Sequence, residues 1–343
     1  MSSTFRTTIL IAMVLPCACA RPERPQRALG LTSVQPPATV AAPLTPASSA
    51  PAPPALSGLR CVRDTTFPSP WQTPEASAAA QVELRPGVRE ILVIGDSGNH
   101  GAAMAWSARS GMRSLILPLD DAASDDLEGM AWLANGRGGR LYTLTSSGAV
   151  RRFAADGVGG LRRDASSYRI GDAPLSCPDL HDINCGKDWE GLCLRRVRRD
   201  SNRAPCAGYA ASKKETALYC VVDDDRGRLS IDASRPPMKL ALRHLPQALQ
   251  HRLPGGDGVL SDCAFGATPG PAEDVLLVTT NIYGTSFTYV VDEETGAATP
   301  LDLVSTPSNE AVAVDSSGAL YAFMDDNGPV SPAARFVCTG WTR

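Results

Sequence analysis

The chain has 343 residues, a formal net charge of −3 and only 6% aromatic side chains. There is no basic excess to hold a phosphate backbone, so nucleic acid is a poor candidate partner and none is expected. The length suits one large repeat domain as readily as two ordinary ones.

At the start, Arg6 is the only charge ahead of the apolar run Ile9 to Leu15, and Cys17-Ala-Cys-Ala20 follows. The run is too short to span a bilayer but suits the core of a signal peptide, expected over residues 1–20. Two cleavages compete. Ala18-Cys19-Ala20 fits a small-residue site before Arg21; alternatively Cys19 becomes the lipidated first residue of a lipoprotein, although Pro16 stands where such signals usually place Leu. Residues 21–58 are rich in Pro, Ala, Ser and Thr, as in Pro51-Ala-Pro-Pro54. Such a segment cannot repay its ordering entropy and reads as an extended tether. The expected location is the outer membrane or cell surface as a lipoprotein, otherwise the periplasm or medium, with membrane contact only through the anchor.

Residues 59–343 read as one domain. Beyond Cys17 and Cys19 it holds Cys61, Cys177, Cys185, Cys193, Cys206, Cys220, Cys263 and Cys338, an even set that points to disulfides in an oxidising compartment. A zinc site in the Cys177–Cys193 cluster is the competing reading, weakened by wide spacing and the lack of a CxxC pair. Short β-type runs then alternate with turn residues: Glu90-Ile-Leu-Val-Ile-Gly95, Arg140-Leu-Tyr-Thr-Leu144, Ala217-Leu-Tyr-Cys-Val-Val222, Val275-Leu-Leu-Val-Thr-Thr280 and Ala319-Leu-Tyr-Ala-Phe323. Leu240 to Leu249 is the best helical stretch, and it is short.

A phrase recurs: Asp126-Leu-Glu128-Gly-Met-Ala131, Asp188-Trp-Glu190-Gly-Leu-Cys193 and Ser308-Asn-Glu310-Ala-Val-Ala313, with weaker copies at Pro74-Glu75-Ala and Leu260-Ser-Asp262-Cys. The acidic anchors Glu75, Glu128, Glu190, Asp262 and Glu310 are spaced by 53, 62, 72 and 48 residues. An acid-started strand, a "Leu-Tyr" strand and an Asp/Asn/Gly turn in each unit make an all-β fold, a β-propeller with five or six four-stranded blades. Pairing of the two chain ends to close the ring would bring Cys61 near Cys338.

The stretch Asp126-Leu-Glu-Gly-Met-Ala-Trp132, Gly139-Arg-Leu-Tyr-Thr-Leu144 and Ser147-Gly-Ala-Val-Arg-Arg-Phe153 resembles calcium-dependent six-bladed propellers of the gluconolactonase/regucalcin kind. With the turn Ile94-Gly-Asp-Ser-Gly-Asn99 it more closely resembles phytase-like "esterase-like" periplasmic propellers. The resemblance covers roughly residues 70–340 at the level of the repeat and implies a propeller with calcium as cofactor. In such a ring the residues that begin the innermost strands converge on the channel. Glu75, Glu128, Glu190, Asp262 and Glu310 are then candidate calcium ligands, since clustered carboxylates need a cation or protons. The alternative is that each accepts backbone N–H groups of the next blade and simply holds the ring closed. Channel Asn residues used by metal-binding relatives have counterparts only at Asn99 and Asn309.

Other constellations weigh less. Ser97 in Ile91-Leu-Val-Ile-Gly-Asp-Ser97 resembles the nucleophile block of GDSL esterases, but no Asp lies three residues before His100, His181, His244 or His251. His181 and Asp182 read as a cysteine-pinned surface loop, and Arg195, Arg196, Arg198 and Arg199 as a solvated basic run. Trp71, Trp106, Trp132, Trp189 and Trp341 read as blade packing in preference to a sugar platform. The expectation is a monomeric extracytoplasmic propeller that binds a small molecule or an envelope partner at a carboxylate-lined channel through calcium. The alternatives are a calcium-dependent esterase or lactonase, and a structural envelope lipoprotein.

Overall fold

The computed structural model of the protein describes residues 59–73, 75–135, 138–195, 206–224, 226–242, 260–266, 275–282, 285–301, 303, 309–325 and 330–341. The expected signal peptide, Cys19 and the tether lie outside these residues, as do Arg196, Arg198, Arg199, His244 and His251. All regular elements among the described residues are strands. Most of the Leu240–Leu249 stretch is outside them, and its first three residues carry no helix.

Five antiparallel sheets follow one another along the chain, each a meander of four strand positions. Blade one is β2 (Ala76–Arg85), β3 (Val88–Gly95), β4 (Ala102–Ser107) and β5 (Gly111–Ile116). Blade two is β6 (Leu127–Asn135), β7 (Gly138–Thr145) and β8 (Ala149–Ala155), with an outer position split into β9 (Leu161–Arg163) and β10 (Tyr168–Arg169). Blade three is β11 (Trp189–Leu194), β12 (Gly208–Ser212) and β13 (Ala217–Asp223), its outer position split into β14 (Leu229–Ile231) and β15 (Met238–Lys239). Blade four is β16 (Leu260–Gly266), β17 (Val275–Ile282), β18 (Thr285–Val291) and β19 (Ala298–Pro300). Blade five is β20 (Asn309–Val314), β21 (Leu320–Met324) and β22 (Ala333–Thr339), completed at its outer edge by β1 (Arg60–Arg63). Among the described residues the blade count is therefore five.

The ring closes through β1, whose Cys61 lies directly opposite Cys338 in register and is disulfide-bonded to it. The chain ends do meet as the repeat pattern implied. The other pairs are Cys177–Cys185 in the connection before β11, Cys193–Cys263 between the innermost strands of blades three and four, and Cys206–Cys220 inside blade three.

The core explains why the strands read as continuous apolar runs. A blade is covered on both faces by its neighbours, so alternate residues of one strand enter different cores. Along β3, Ile91 and Val93 pack against blade five, while Leu92 and Ile94 pack against blade two. The same alternation gives five inter-blade clusters. Trp71, Trp189 and Trp341 are buried within them, and Trp106 and Trp132 are half-buried at their margins.

Candidate functional site

Every innermost strand begins with a β-bulge. The register shifts lie between Ala76 and Ala78, Leu127 and Gly129, Trp189 and Gly191, Leu260 and Asp262, and Asn309 and Ala311. The unpaired bulge residues are thus Ser77, Glu128, Glu190, Ser261 and Glu310. A bulge re-aims a side chain away from the ladder, here at the end of the channel where these strands start. In four of the five blades the residue after the bulge is Ala or Gly, because the neighbouring innermost strand passes close. A Cβ on Gly129 would stand 2.6 Å from Leu192 N, and one on Gly191 2.9 Å from Cys263 N. The recurring Glu-Gly phrase is therefore a bulge followed by a close backbone contact.

The five acidic anchors occupy three different register positions. Glu128, Glu190 and Glu310 are bulge residues. Glu75 lies two places earlier, equivalent to Asp126 and Asp188: the three carbonyls accept the same hydrogen bond, from Asp96 N at 2.9 Å, Ser146 N at 3.3 Å and Lys213 N at 2.9 Å respectively. Among the described residues no hydrogen bond or ion pair ties the Glu75 carboxylate to the three glutamates. Asp262 lies one place later than the bulge, where other blades have Ala or Gly. It is buried, and its carboxylate accepts Cys263 N–H at 2.7 Å and Val312 N–H of blade five at 2.8 Å.

A second tier surrounds the bulge residues. It consists of the next residue of the second strand in each blade: Asp96, Ser146, Lys213, Asn281 and Asp325. The tiers are joined within and between blades. Ser146 donates its hydroxyl to Asp126, Lys213 Nζ meets Glu190 Oε1 at 2.9 Å, and Asn281 donates its amide to Glu310. Asp96, Asp126 and Glu128 each offer one carboxylate oxygen, and the three oxygens lie within 4.8 Å of one another.

Burial and crowding leave Asp126, Glu128, Glu190 and Glu310 short of stabilisation as anions. Burial, then the charges of Asp96 and Asp188, push Asp126 up to about 7 against the help of Ser146. Burial and the nearby Asp325 and Asp96 push Glu310 up to about 7 although Asn281 and Lys213 oppose it. Glu128 is raised by burial, Glu190 and Asp96; Glu190 is raised by burial and Glu310, with Lys213 in opposition. Burial raises Asp188 and Asp262 as well. Burial works against the Lys213 ammonium, but Glu190, Glu310 and Glu128 outweigh it and hold it charged. Further along the innermost strands lies a cavity of about 40 Å³ that Ala79, Gln81, Met130, Leu192, Cys263 and Ala313 help to line, room for a few waters.

No protein-family model and no curated protein matches the chain. Its resemblance to gluconolactonase/regucalcin-like and phytase-like propellers accordingly rests on the repeat phrases alone. Solved structures similar to it include fructan 1-exohydrolase IIa from Cichorium intybus, with 9% identity and a TM-score of 0.44 over 80% of this chain and 57% of that one. Virginiamycin B lyase from Staphylococcus aureus is similar at 11% identity and a TM-score of 0.36, over 77% of this chain and 80% of that one. BBS1N, in a complex with ARL6DN, gives 10% identity and a TM-score of 0.35 over 76% of this chain and 61% of that one. The chain thus spans about three fifths of the BBS1N and fructan exohydrolase chains. The exohydrolase and the lyase are β-propellers. The architecture of this chain rests on its own strand pairings.

The remaining sequence candidates fall outside the mouth or beside it. Ser97 is in the turn between β3 and β4. His181 is exposed in the connection pinned by Cys177–Cys185. Arg195, unlike a solvated basic residue, is buried against the Phe265 ring and paired with Glu293. Asn99 is a turn residue whose amide donates to Asp96 O at 3.0 Å, and Asn309 is buried beside Glu310. The residues the sequence pattern missed at the mouth are Asp96, Asp126, Asp188, Lys213 and Asn281. Asp96 stood in a quoted motif as a turn residue and Asp126 and Asp188 as phrase openers, whereas Lys213 and Asn281 carried no repeat signal.

Proposed function

We propose that the protein is an exported β-propeller that binds calcium at Asp96, Asp126 and Glu128 and, through it, an oxygen-rich ligand or envelope partner at the mouth of its channel. The observation that carries this reading is the convergence of three carboxylates from blades one and two, with oxygens within 4.8 Å of one another. The donors are hard oxygens, which suit calcium and disfavour softer metals. Asp188 supplies a further carboxylate to the same charged neighbourhood, and its Oδ1 is buried without a hydrogen-bond partner. Bound calcium would neutralise these acids and present open coordination positions to ligand oxygens. Ser146, by holding Asp126, and Lys213, by holding Glu190, fix the carboxylates on either side. The four disulfides are consistent with an oxidising, extracytoplasmic setting, and the signal-type N-terminus supports export.

The test is calcium titration of the full mature chain by thermal melting and calorimetry. Calcium at a hundredfold excess over its dissociation constant should stabilise the protein by about 2.7 kcal/mol. Asp96→Asn with Glu128→Gln should abolish the effect. A flat titration of the wild type removes the reading and leaves these acids a structural role. A panel of esters and lactones with and without chelator decides the remaining alternative: turnover that the chelator abolishes would replace binding by hydrolysis.

A further inference from the structure

The innermost strands all start at the carboxylate mouth, so their far ends, and the near ends of the second strands, form the opposite face. Two hollows open there. One, of about 230 Å³, lies between blades five and one, with Trp106 and Tyr321 on its wall. The other, of about 140 Å³, lies under blades one and two, with Trp132 on its wall. They are adjacent: Gln81 and Arg89 line both. Each indole is half-buried and fixed from behind. Trp106 stands edge-on to Phe67 at 5.0 Å, and Trp132 packs on the core between blades one and two.

Arg89 differs from the other arginines of this seam. Arg85 and Arg113 both pair with Glu90, and Arg335 pairs with Asp64. Arg89 is exposed, its Nη1 donates to Ser316 Oγ at 2.7 Å, and no carboxylate of the described residues lies within ion-pair range of it. Beside it, Gln81 Oε1 accepts Ser316 N–H at 3.0 Å, which leaves the amide nitrogen to donate elsewhere. Carboxylates also line the hollows, but each is engaged: Glu90 pairs with Arg85 and Arg113, Asp315 accepts Ser317 N–H, Ala319 N–H and the Tyr321 hydroxyl, and Glu83 accepts Gly87 N–H. The junction of the hollows therefore offers an exposed guanidinium with no carboxylate of the described residues paired to it, and an amide donor, between two aromatic walls.

We propose that this face binds an acidic oligosaccharide, with a sugar ring in each hollow and a uronic acid carboxylate at Arg89. An indole wall suits the C–H face of a pyranose, because it removes apolar surface from water without asking for hydrogen bonds. A guanidinium fork matches a carboxylate. Two adjoining hollows, each with its own indole, fit linked rings better than one small anion. The site is independent of the carboxylate mouth and does not require calcium.

The experiment titrates the full mature protein, in chelator, with short oligouronates of galacturonate, glucuronate and mannuronate, and reads heat and tryptophan fluorescence. Methyl-esterified oligogalacturonate is the control with the same rings and no charge. Binding of at least one oligouronate is expected, with at least a tenfold loss of affinity on esterification and in Arg89→Ala. That variant removes an exposed side chain, so its melting temperature should match the wild type. Trp132→Phe should weaken binding and reduce the fluorescence change; Gln81→Ala gives a second reading if Trp132→Phe fails to fold. The proposal is overturned if no oligouronate binds, or if the ester or Arg89→Ala binds as well as its reference. It is equally overturned if Glu128→Gln abolishes binding, which would move the ligand to the other mouth.

Discussion

Lys213 Nζ lies 2.9 Å from Glu190 Oε1, and Lys213 is the one cationic side chain in either tier of the mouth. It occupies the register position that carries Asp96, Ser146, Asn281 or Asp325 in the other blades. The ammonium is an internal counter-ion that also acts on Glu310 and Glu128. Replacing it with Met should therefore do two opposite things. In chelator the protein should lose stability, on the order of 1 kcal/mol after allowance for a half-exposed lysine. With calcium the gain should exceed that of the wild type, because the cation then has less competition. Urea denaturation with and without calcium checks both, and a Lys213→Met protein with wild-type calcium response would remove the counter-ion role.

The raised acids set a pH dependence. Asp126 and Glu310 are pushed up to about 7 in the folded protein, from the usual unfolded value of about 4. An acid with a higher folded pKa binds its proton more tightly when folded, so it disfavours folding increasingly as pH rises through that interval. In chelator, the melting temperature should fall by several degrees from about pH 5 to about pH 7.5. Calcium should flatten that slope by replacing the protons. A melting temperature that rises with pH in chelator would contradict the arrangement of charges described at the mouth.

The fold was legible because each blade repeats the same physical requirements. The acid-Gly phrase, the apolar second strand and the turn survive as local patterns, and ring closure links Cys61 to Cys338 by topology alone. The candidate site was legible only where the phrase coincides with the bulge, at Glu128, Glu190 and Glu310. Glu75 and Asp262 were aligned as acids, but a displacement of one or two residues at a bulge sends a side chain elsewhere, and the sequence does not mark the bulge. Ser77 and Ser261 take those positions instead. Lys213 and Asn281 come from second strands about twenty residues further along the chain, and their identities differ from blade to blade. No local repeat could reveal them.

Asp262 should behave as a structural residue. Its carboxylate accepts two buried backbone N–H groups, one of them across the blade four to blade five seam. Asp262→Ala leaves both donors unpaired and should cost roughly 2–4 kcal/mol. Asp262→Asn keeps one acceptor oxygen and should cost about half as much. Neither change should abolish the calcium-induced rise in melting temperature. Loss of that rise in Asp262→Asn, at unchanged fold, would place Asp262 among the ligands.

The disulfides should separate ring stability from site geometry. Cys61–Cys338 closes a loop of 277 residues and fastens the strand that completes blade five, whereas Cys177–Cys185 spans only 8 residues. In the chain-entropy view a longer closed loop constrains the unfolded state more, so removing the first pair should cost about 5.5 kcal/mol and the second about 2.5 kcal/mol. The short bridge, however, pins the connection whose Asn184 N–H donates to Ser146 Oγ at 3.1 Å, and Ser146 in turn holds Asp126. Its removal should therefore weaken calcium binding severalfold while lowering global stability by less than half as much as loss of Cys61–Cys338. Cys61→Ser with Cys338→Ser should show the reverse: a large drop in the urea midpoint and a calcium affinity near wild type at low temperature. Denaturation and calorimetry on the two double variants measure both quantities. Equal effects of the two bridges on calcium affinity would mean that the connection before β11 does not position the acids.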